Sequence, residues 1–211
     1  MIGEELEKEN RELVEWLKKR GMIKSKRVEE AFLKTPRHCF VRRDYLQHAY
    51  VDAPLPTFCG QTISQPSIVA YMLEALDLKP KQKVLEIGAG SGWNACLIAR
   101  IVEPGKVITI ERYKQLVEFA RKNIEKVGVK NVEVILGDGK QGYEKGAPYD
   151  RIVLTAACKG VPEALFEQLK DKGKLLAPVG NAFSQWLVLF EKSEGKIKEK
   201  RLIPCVFVPL V

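Results

Sequence analysis

The nine residues Val84-Leu85-Glu86-Ile87-Gly88-Ala89-Gly90-Ser91-Gly92 constrain the fold more than any other part of the chain. A short apolar strand runs into three alternating glycines, and an apolar helical pattern resumes through Ala95 to Ile101. The same unit recurs downstream. Val107, Ile108 and Ile110 make a second strand that ends at Glu111, and Leu116, Phe119, Ala120, Ile124 and Val127 follow at helical spacing. Val132, Val134 and Ile135 make a third strand ending in Gly137-Asp138-Gly139. Ile152-Val153-Leu154 is a fourth and Leu175-Leu176 a fifth, with a helix opened by Pro162 between them. Strands alternating with helices predict an α/β fold: a doubly wound, mostly parallel sheet covered on both faces. Trp186–Phe190 and Ile203–Val208, separated by a Glu194-Gly195 turn, predict a C-terminal antiparallel hairpin at one edge.

Residues 1–60 predict a helical annex. Leu6, Leu13, Val14 and Leu17 line one side of a charged helix, and Val28, Ala31 and Phe32 mark a second. Pro54, Pro56 and Gly60 then break the stretch from Tyr50 into a loop. Pro66 suits the first turn of another helix, with Ser64 as its N-cap and Ile68, Val69, Met72, Leu73 and Leu76 as its apolar face. A chain of 211 residues has room for a single catalytic domain, with the annex and loop over 1–60 and the core over 61–211. It contains no run of about 18 uncharged apolar residues, and Met1-Ile2-Gly3-Glu4-Glu5 lacks a secretory pattern. The expectation is a cytoplasmic protein with no membrane partner.

The ligand follows from the turns. Glycines leaving the first strand of such a sheet let a backbone approach a nucleotide-like molecule that a Cβ would repel. A dinucleotide fingerprint would need a third glycine at position 93, where Trp93 stands, and no Walker lysine follows to hold a triphosphate. Glu111 closes the second strand, where a carboxylate accepts hydrogen bonds from a ribose diol and repels a ribose phosphate. Asp138, ending the third, can meet an adenine amine. An adenosine without phosphate, as in S-adenosylmethionine, fits this set.

Other chemistry is thinly signalled. Five cysteines include no C-x-x-C pair, so no metal is expected and the thiols are read as packed and reduced. His38 and His48 lack an activating pattern and are read as structural. A net charge of +8 would suit nucleic acid, yet lysine and glutamate are intermixed with no Arg-rich or aromatic-interleaved stretch, so no nucleic-acid partner is expected.

Several motifs resemble one family in order. Tyr50-Val51-Asp52-Ala53-Pro54-Leu55-Pro56, Gly60-Gln61-Thr62-Ile63-Ser64-Gln65-Pro66 and the glycine turn are similar to the protein-L-isoaspartate O-methyltransferases. So are Gly137-Asp138-Gly139 with Gly142-Tyr143, Ala147-Pro148-Tyr149-Asp150, Leu176-Ala177-Pro178-Val179-Gly180 and Val206-Phe207-Val208-Pro209-Leu210. The Thr-Ile-Ser-Gln-Pro segment discriminates best, because other methyltransferases do not carry it. The chain departs from the family at Phe58-Cys59, at Trp93 in place of tyrosine and at Lys140 in place of arginine.

The resemblance implies a class I S-adenosylmethionine-dependent methyltransferase fold. It also implies methyl transfer to the free carboxylate of L-isoaspartyl residues in damaged peptides and proteins, by a monomer without a metal. By the same resemblance Ser64 is the catalytic position. Thr62, Ser64, Glu86, Gly88, Gly90, Glu111, Asp138 and Gly139 would contact the donor, with Glu86 at its methionine end. Ile63, Ser64, Val206, Phe207 and Val208 would contact the substrate, the last three by strand addition. Three alternatives stay open: a nucleic-acid methyltransferase, although Leu154-Thr155-Ala156-Ala157 lacks the proline motif of amino-methylating enzymes; a non-catalytic adenosine-binding module; and a dehydrogenase, which Trp93 disfavours.

Overall fold

The computed structural model describes residues 2–211. Helices α1 (Ile2–Lys19) and α2 (Lys26–Lys34) come first. Leu13, Val14 and Leu17 of α1 and Val28, Ala31 and Phe32 of α2 are buried, while Leu6 is only half-buried. The buried Asn10 amide donates to the Phe32 and Leu33 carbonyls, tying α1 to the end of α2. The two-residue strand β1 (Leu55–Pro56) lies inside the stretch expected to be loop and pairs antiparallel with β2 (Thr62–Ile63) just beyond it.

Helix α3 (Pro66–Leu76) begins at Pro66 as expected, but Ser64 is not its cap. Proline at the first helical position makes Gln65 the cap residue, and Gln65 makes no side-chain cap bond. The orphan amide of Ser67 goes instead to Asp52 Oδ1 at 2.8 Å, from across the preceding loop. Ser64 is thereby left out of the helix end.

The core continues with β3 (Lys83–Ile87), α4 (Trp93–Val102), β4 (Lys106–Glu111), α5 (Lys114–Lys126), β5 (Val132–Leu136) and β6 (Tyr149–Leu154). It closes with α6 (Glu163–Glu167), β7 (Leu169–Gly180), β8 (Gln185–Ser193) and β9 (Lys196–Cys205). Among the described residues the main sheet has seven strands in the order β5-β4-β3-β6-β7-β8-β9. Pairing is parallel from β5 to β7 and antiparallel for β8 and β9.

Side chains alternate across this sheet. Val84, Val107 and Val153 face a large core shared with α1 to α5, whereas Leu85, Ile87, Ile108, Ile110, Ile152 and Leu154 face a smaller one with α6. Both faces are covered, but unequally. The hairpin differs from expectation in register: its second strand is the charged run Lys196–Cys205, not Ile203–Val208. Over residues 196–201 the strand is exposed on both faces and needs no apolar alternation, while Leu202, Ile203 and Cys205 pack against the large core; lysines along the exposed part deter pairing with other chains.

Candidate active site

The chain runs β3, β4, β5 outward on one side and returns to place β6 on the other side of β3. A crevice opens at such a reversal, outside the carboxyl ends of the strands. The loops after β3 and β6 flank it. Thr155 caps β6, its amide bonds the Ile87 carbonyl at 3.0 Å, and its hydroxyl lies 2.7 Å from the Gly88 carbonyl. Gly88 has φ +100°, and a Cβ there would collide with Thr155 Oγ1. Only glycine fits, on conformational and on steric grounds.

One cleft, which we term the donor cleft, is walled by Thr62, Ile87, Gly88, Gly90, Glu111, Gly139 and Thr155. Glu111 is nearly buried. Its Oε2 accepts from the Gly90 amide at 3.0 Å and its Oε1 from the Tyr113 amide at 3.1 Å, so one carboxylate fixes both the glycine loop and the turn after β4. Each oxygen keeps acceptor capacity toward the cleft. Arg112 also borders it, with its guanidinium over the Tyr113 ring, 5.6 Å from the centroid. From behind, the buried Asn123 amide of α5 holds the Ser91 carbonyl at 2.9 Å.

Two expected donor residues stand elsewhere. Glu86 is fully buried and forms no part of the cleft wall. Strand alternation turns it to the face under α4, where Asn94 Nδ2 donates to Oε1 at 2.8 Å and Thr109, its register partner on β4, donates to Oε2. Burial pushes its carboxyl up to about 7, against those two hydrogen bonds and with a smaller push from Glu111. Asp138 is exposed beside the wall rather than in it, with Oδ1 accepting from the Lys140 amide at 3.0 Å.

A second cleft, the acceptor cleft, adjoins the first and is lined by Pro54, Ser64, Phe183, Gln185, Val206 and Phe207. Thr62, Thr155 and Val208 belong to both walls and form the partition between them. Ser64 thus faces the acceptor side, half-buried. Ile63 turns the other way, its side chain buried in the large core, and lines neither cleft. Val206-Phe207-Val208 lies past the end of β9, and Gln185 clasps Phe207 by accepting from its amide at 2.7 Å and donating to its carbonyl at 3.1 Å. Val208 O accepts from the Ala157 amide, which leaves the Val206 amide and carbonyl without a partner among the described residues.

The acceptor wall rests on a residue that the sequence pattern does not single out. Arg37 is fully buried, and its guanidinium donates to the carbonyls of Ala49, Val51, Ala53 and Ser64 at 2.8–3.4 Å. Its face lies over Trp93, 5.4 Å from the ring centroid, and Trp93 packs edge-on to Phe32. Burial lowers the guanidinium to about 10, with the Asp52 charge opposing. Nearby, Phe58 packs edge-on to Phe119 of α5 at 5.1 Å, pinning the turn before Gly60.

Residues 8–211 match the family described as protein-L-isoaspartate(D-aspartate) O-methyltransferase. A protein-L-isoaspartate O-methyltransferase of Pyrococcus horikoshii is 51% identical, the alignment covering 100% of this chain and 96% of that protein. One of Methanopyrus kandleri is 54% identical over 94% of this chain and 89% of its own. Among solved structures, a protein described as a putative enzyme of this name from Plasmodium falciparum, in complex with S-adenosyl-L-homocysteine, superposes with a TM-score of 0.86. That pair is 29% identical, and the match covers 96% of this chain and 98% of the other.

Proposed function

Because this chain belongs to the protein-L-isoaspartate(D-aspartate) O-methyltransferase family, we propose how its two clefts divide that family's reaction. It is an enzyme that moves a methyl group from S-adenosylmethionine to the free carboxylate of L-isoaspartyl residues in damaged proteins, initiating their repair. We assign the donor to the cleft of Gly88, Gly90, Glu111 and Gly139, with Glu111 accepting from the ribose diol. A carboxylate at the floor suits a nucleoside without phosphate there. When bound, S-adenosylmethionine supplies a sulfonium methyl reactive enough for a carboxylate to take.

The chain's own work is then positional. An isoaspartyl carboxylate, with a pKa near 4, is ionised at neutral pH and needs no base to activate it. We assign Ser64 to orient that carboxylate by hydrogen bonding from the acceptor side, with Thr62 and Thr155 at the partition where donor and acceptor meet. Val206 offers its unpaired amide and carbonyl to the substrate backbone, in the manner of strand addition. Glu86 is assigned a supporting place beneath the loop rather than a contact with the donor, and Asp138 a place at the outer rim on the adenine side.

We further propose that residues 1–211 act as one catalytic domain, a cytoplasmic monomer with isoaspartyl proteins as partner and no metal, nucleic acid or membrane in its reaction. No helix among the described residues is long and apolar enough to cross a membrane.

The observation carrying this reading is the shared partition of Thr62, Thr155 and Val208, which joins the cleft assigned to the donor to the one assigned to the peptide. It is tested with methyl-labelled S-adenosylmethionine and two peptides that differ only in aspartyl or L-isoaspartyl linkage. Base-labile label on the isoaspartyl peptide alone is expected. Equal labelling of both peptides, or label on RNA instead, contradicts it.

A further inference from the structure

On the far side of Val206 and Phe207 from the acceptor cleft lies a groove of about 580 Å³, within the range of pockets that hold small ligands. Ala157, Pro162, Val206, Phe207 and Leu210 supply its apolar surface. Lys140 and Lys159 also line it, both exposed, and neither ammonium pairs with a carboxylate among the described residues. No Asp or Glu stands among its lining residues. Gln185, Val206 and Phe207 border the groove and the acceptor cleft alike, so the two are separated by one extended segment. Val206 itself is 91% exposed and presents its unpaired backbone there.

We propose that this groove takes the side chain flanking the isoaspartyl residue and selects an acidic one. The inference rests on the methyltransferase reading above. An extended chain presents successive side chains to opposite sides. A substrate lying along Val206 with its isoaspartyl carboxylate in the acceptor cleft therefore turns the neighbouring side chain into the groove. The stem of a glutamate covers the apolar surface, and its carboxylate reaches two cations that have no partner within the protein. A lysine at that place meets like charge, which opposes binding.

The test uses three isoaspartyl peptides of equal length with Glu, Gln or Lys on both sides of the damaged residue, each beside its aspartyl counterpart. Expected is a kcat/KM order of Glu over Gln over Lys, about fivefold per step and carried by KM, as for exposed ion pairs. High salt flattens the order. The double variant Lys140→Glu with Lys159→Glu inverts it; both positions are on the surface, so folding is not at stake. Equal kcat/KM for the three peptides, or an order unchanged in the double variant, overturns the proposal while leaving the methyltransferase reading intact. Failure of all three peptides to accept methyl, with the aspartyl controls equally inert, overturns that reading and the groove's role with it.

Discussion

The donor cleft is built mainly from neighbouring strand ends, Ile87 to Gly90 at β3, Ile110 to Tyr113 at the end of β4 and Thr155 after β6, with Thr62 and the C-terminal Val208 to Val211 closing it. The acceptor cleft is gathered from remote pieces, including Pro54, Ser64, Phe183, Gln185 and Val206. Beyond the short ladders that set Thr62 and Gln185, its parts are held by side chains that clasp backbone, Arg37 on one wall and Gln185 on the other. The donor half is thus what this fold gives to any chain that adopts it. The acceptor half is grafted onto it, and there the choice of reaction resides. Changes on each side should consequently separate donor affinity from peptide KM.

Arg37→Met is the hardest test of that separation. It strands the carbonyls of Ala49, Val51, Ala53 and Ser64 and should cost about 4 kcal/mol of stability, the scale for removing a buried charge that holds several hydrogen bonds. In urea melts the midpoint falls, and in the protein that remains folded KM for the isoaspartyl peptide rises while donor affinity by calorimetry holds. Equal losses on both sides would mean that the two clefts are one cooperative unit.

Glu86 probes the donor half through pH. Its carboxyl sits at about 7 in the folded chain, above the ordinary value of 4.5, so the native state binds the proton more tightly than the unfolded one. Stability drawn from this group is therefore full below pH 4.5 and drains away as pH rises through 7. Glu86→Gln keeps an acceptor for Asn94 and a donor for the Thr109 hydroxyl without the charge. It should match the parent at pH 4.5 and exceed it at pH 8 by about 3 kcal/mol. Donor affinity at pH 4.5 should be unchanged. A collapse of donor binding there would return Glu86 to the cleft.

The two halves also differ in how far the sequence alone reveals them. A parallel strand buried on both faces reads as a near-continuous apolar run, which makes β3 and the acid Glu111 at the end of β4 legible but hides the alternation of faces within β3. That alternation turns Glu86 away from Leu85 and Ile87 and under the helix that follows. Arg37 leaves no such trace, since its partners are carbonyls spread over residues 49–64 and any residue type supplies a carbonyl. Local rules make Ser64 the helix cap, whereas Asp52 takes that role for the Ser67 amide from 15 residues away. The charged first part of β9, residues 196–201, is exposed on both faces and so has no apolar rhythm to read.

Glu111→Ala sharpens the donor side further. It removes the acceptor for the Gly90 and Tyr113 amides together with the proposed ribose contact. Donor affinity by calorimetry should fall by about 2 kcal/mol, the scale for hydrogen bonds to a charged group. The isoaspartyl peptide's KM, measured at saturating donor, should stay within error. An unaltered donor affinity would remove Glu111 from the ribose.

Gln185→Leu is the mirror experiment on the acceptor side and the smallest effect. Two neutral hydrogen bonds to Phe207 are lost, but both backbone groups lie near a surface where water can replace the side chain. The expected cost is about 1 kcal/mol, seen as a roughly fivefold rise in peptide KM with donor affinity intact. Because Gln185 borders the acceptor cleft and the groove beside it, the variant should also blunt any preference for the flanking residue. If donor affinity falls instead, Val208 at the partition must be transmitting the disturbance, and the boundary between the two halves would move from Thr62 and Thr155 to the C-terminal segment itself.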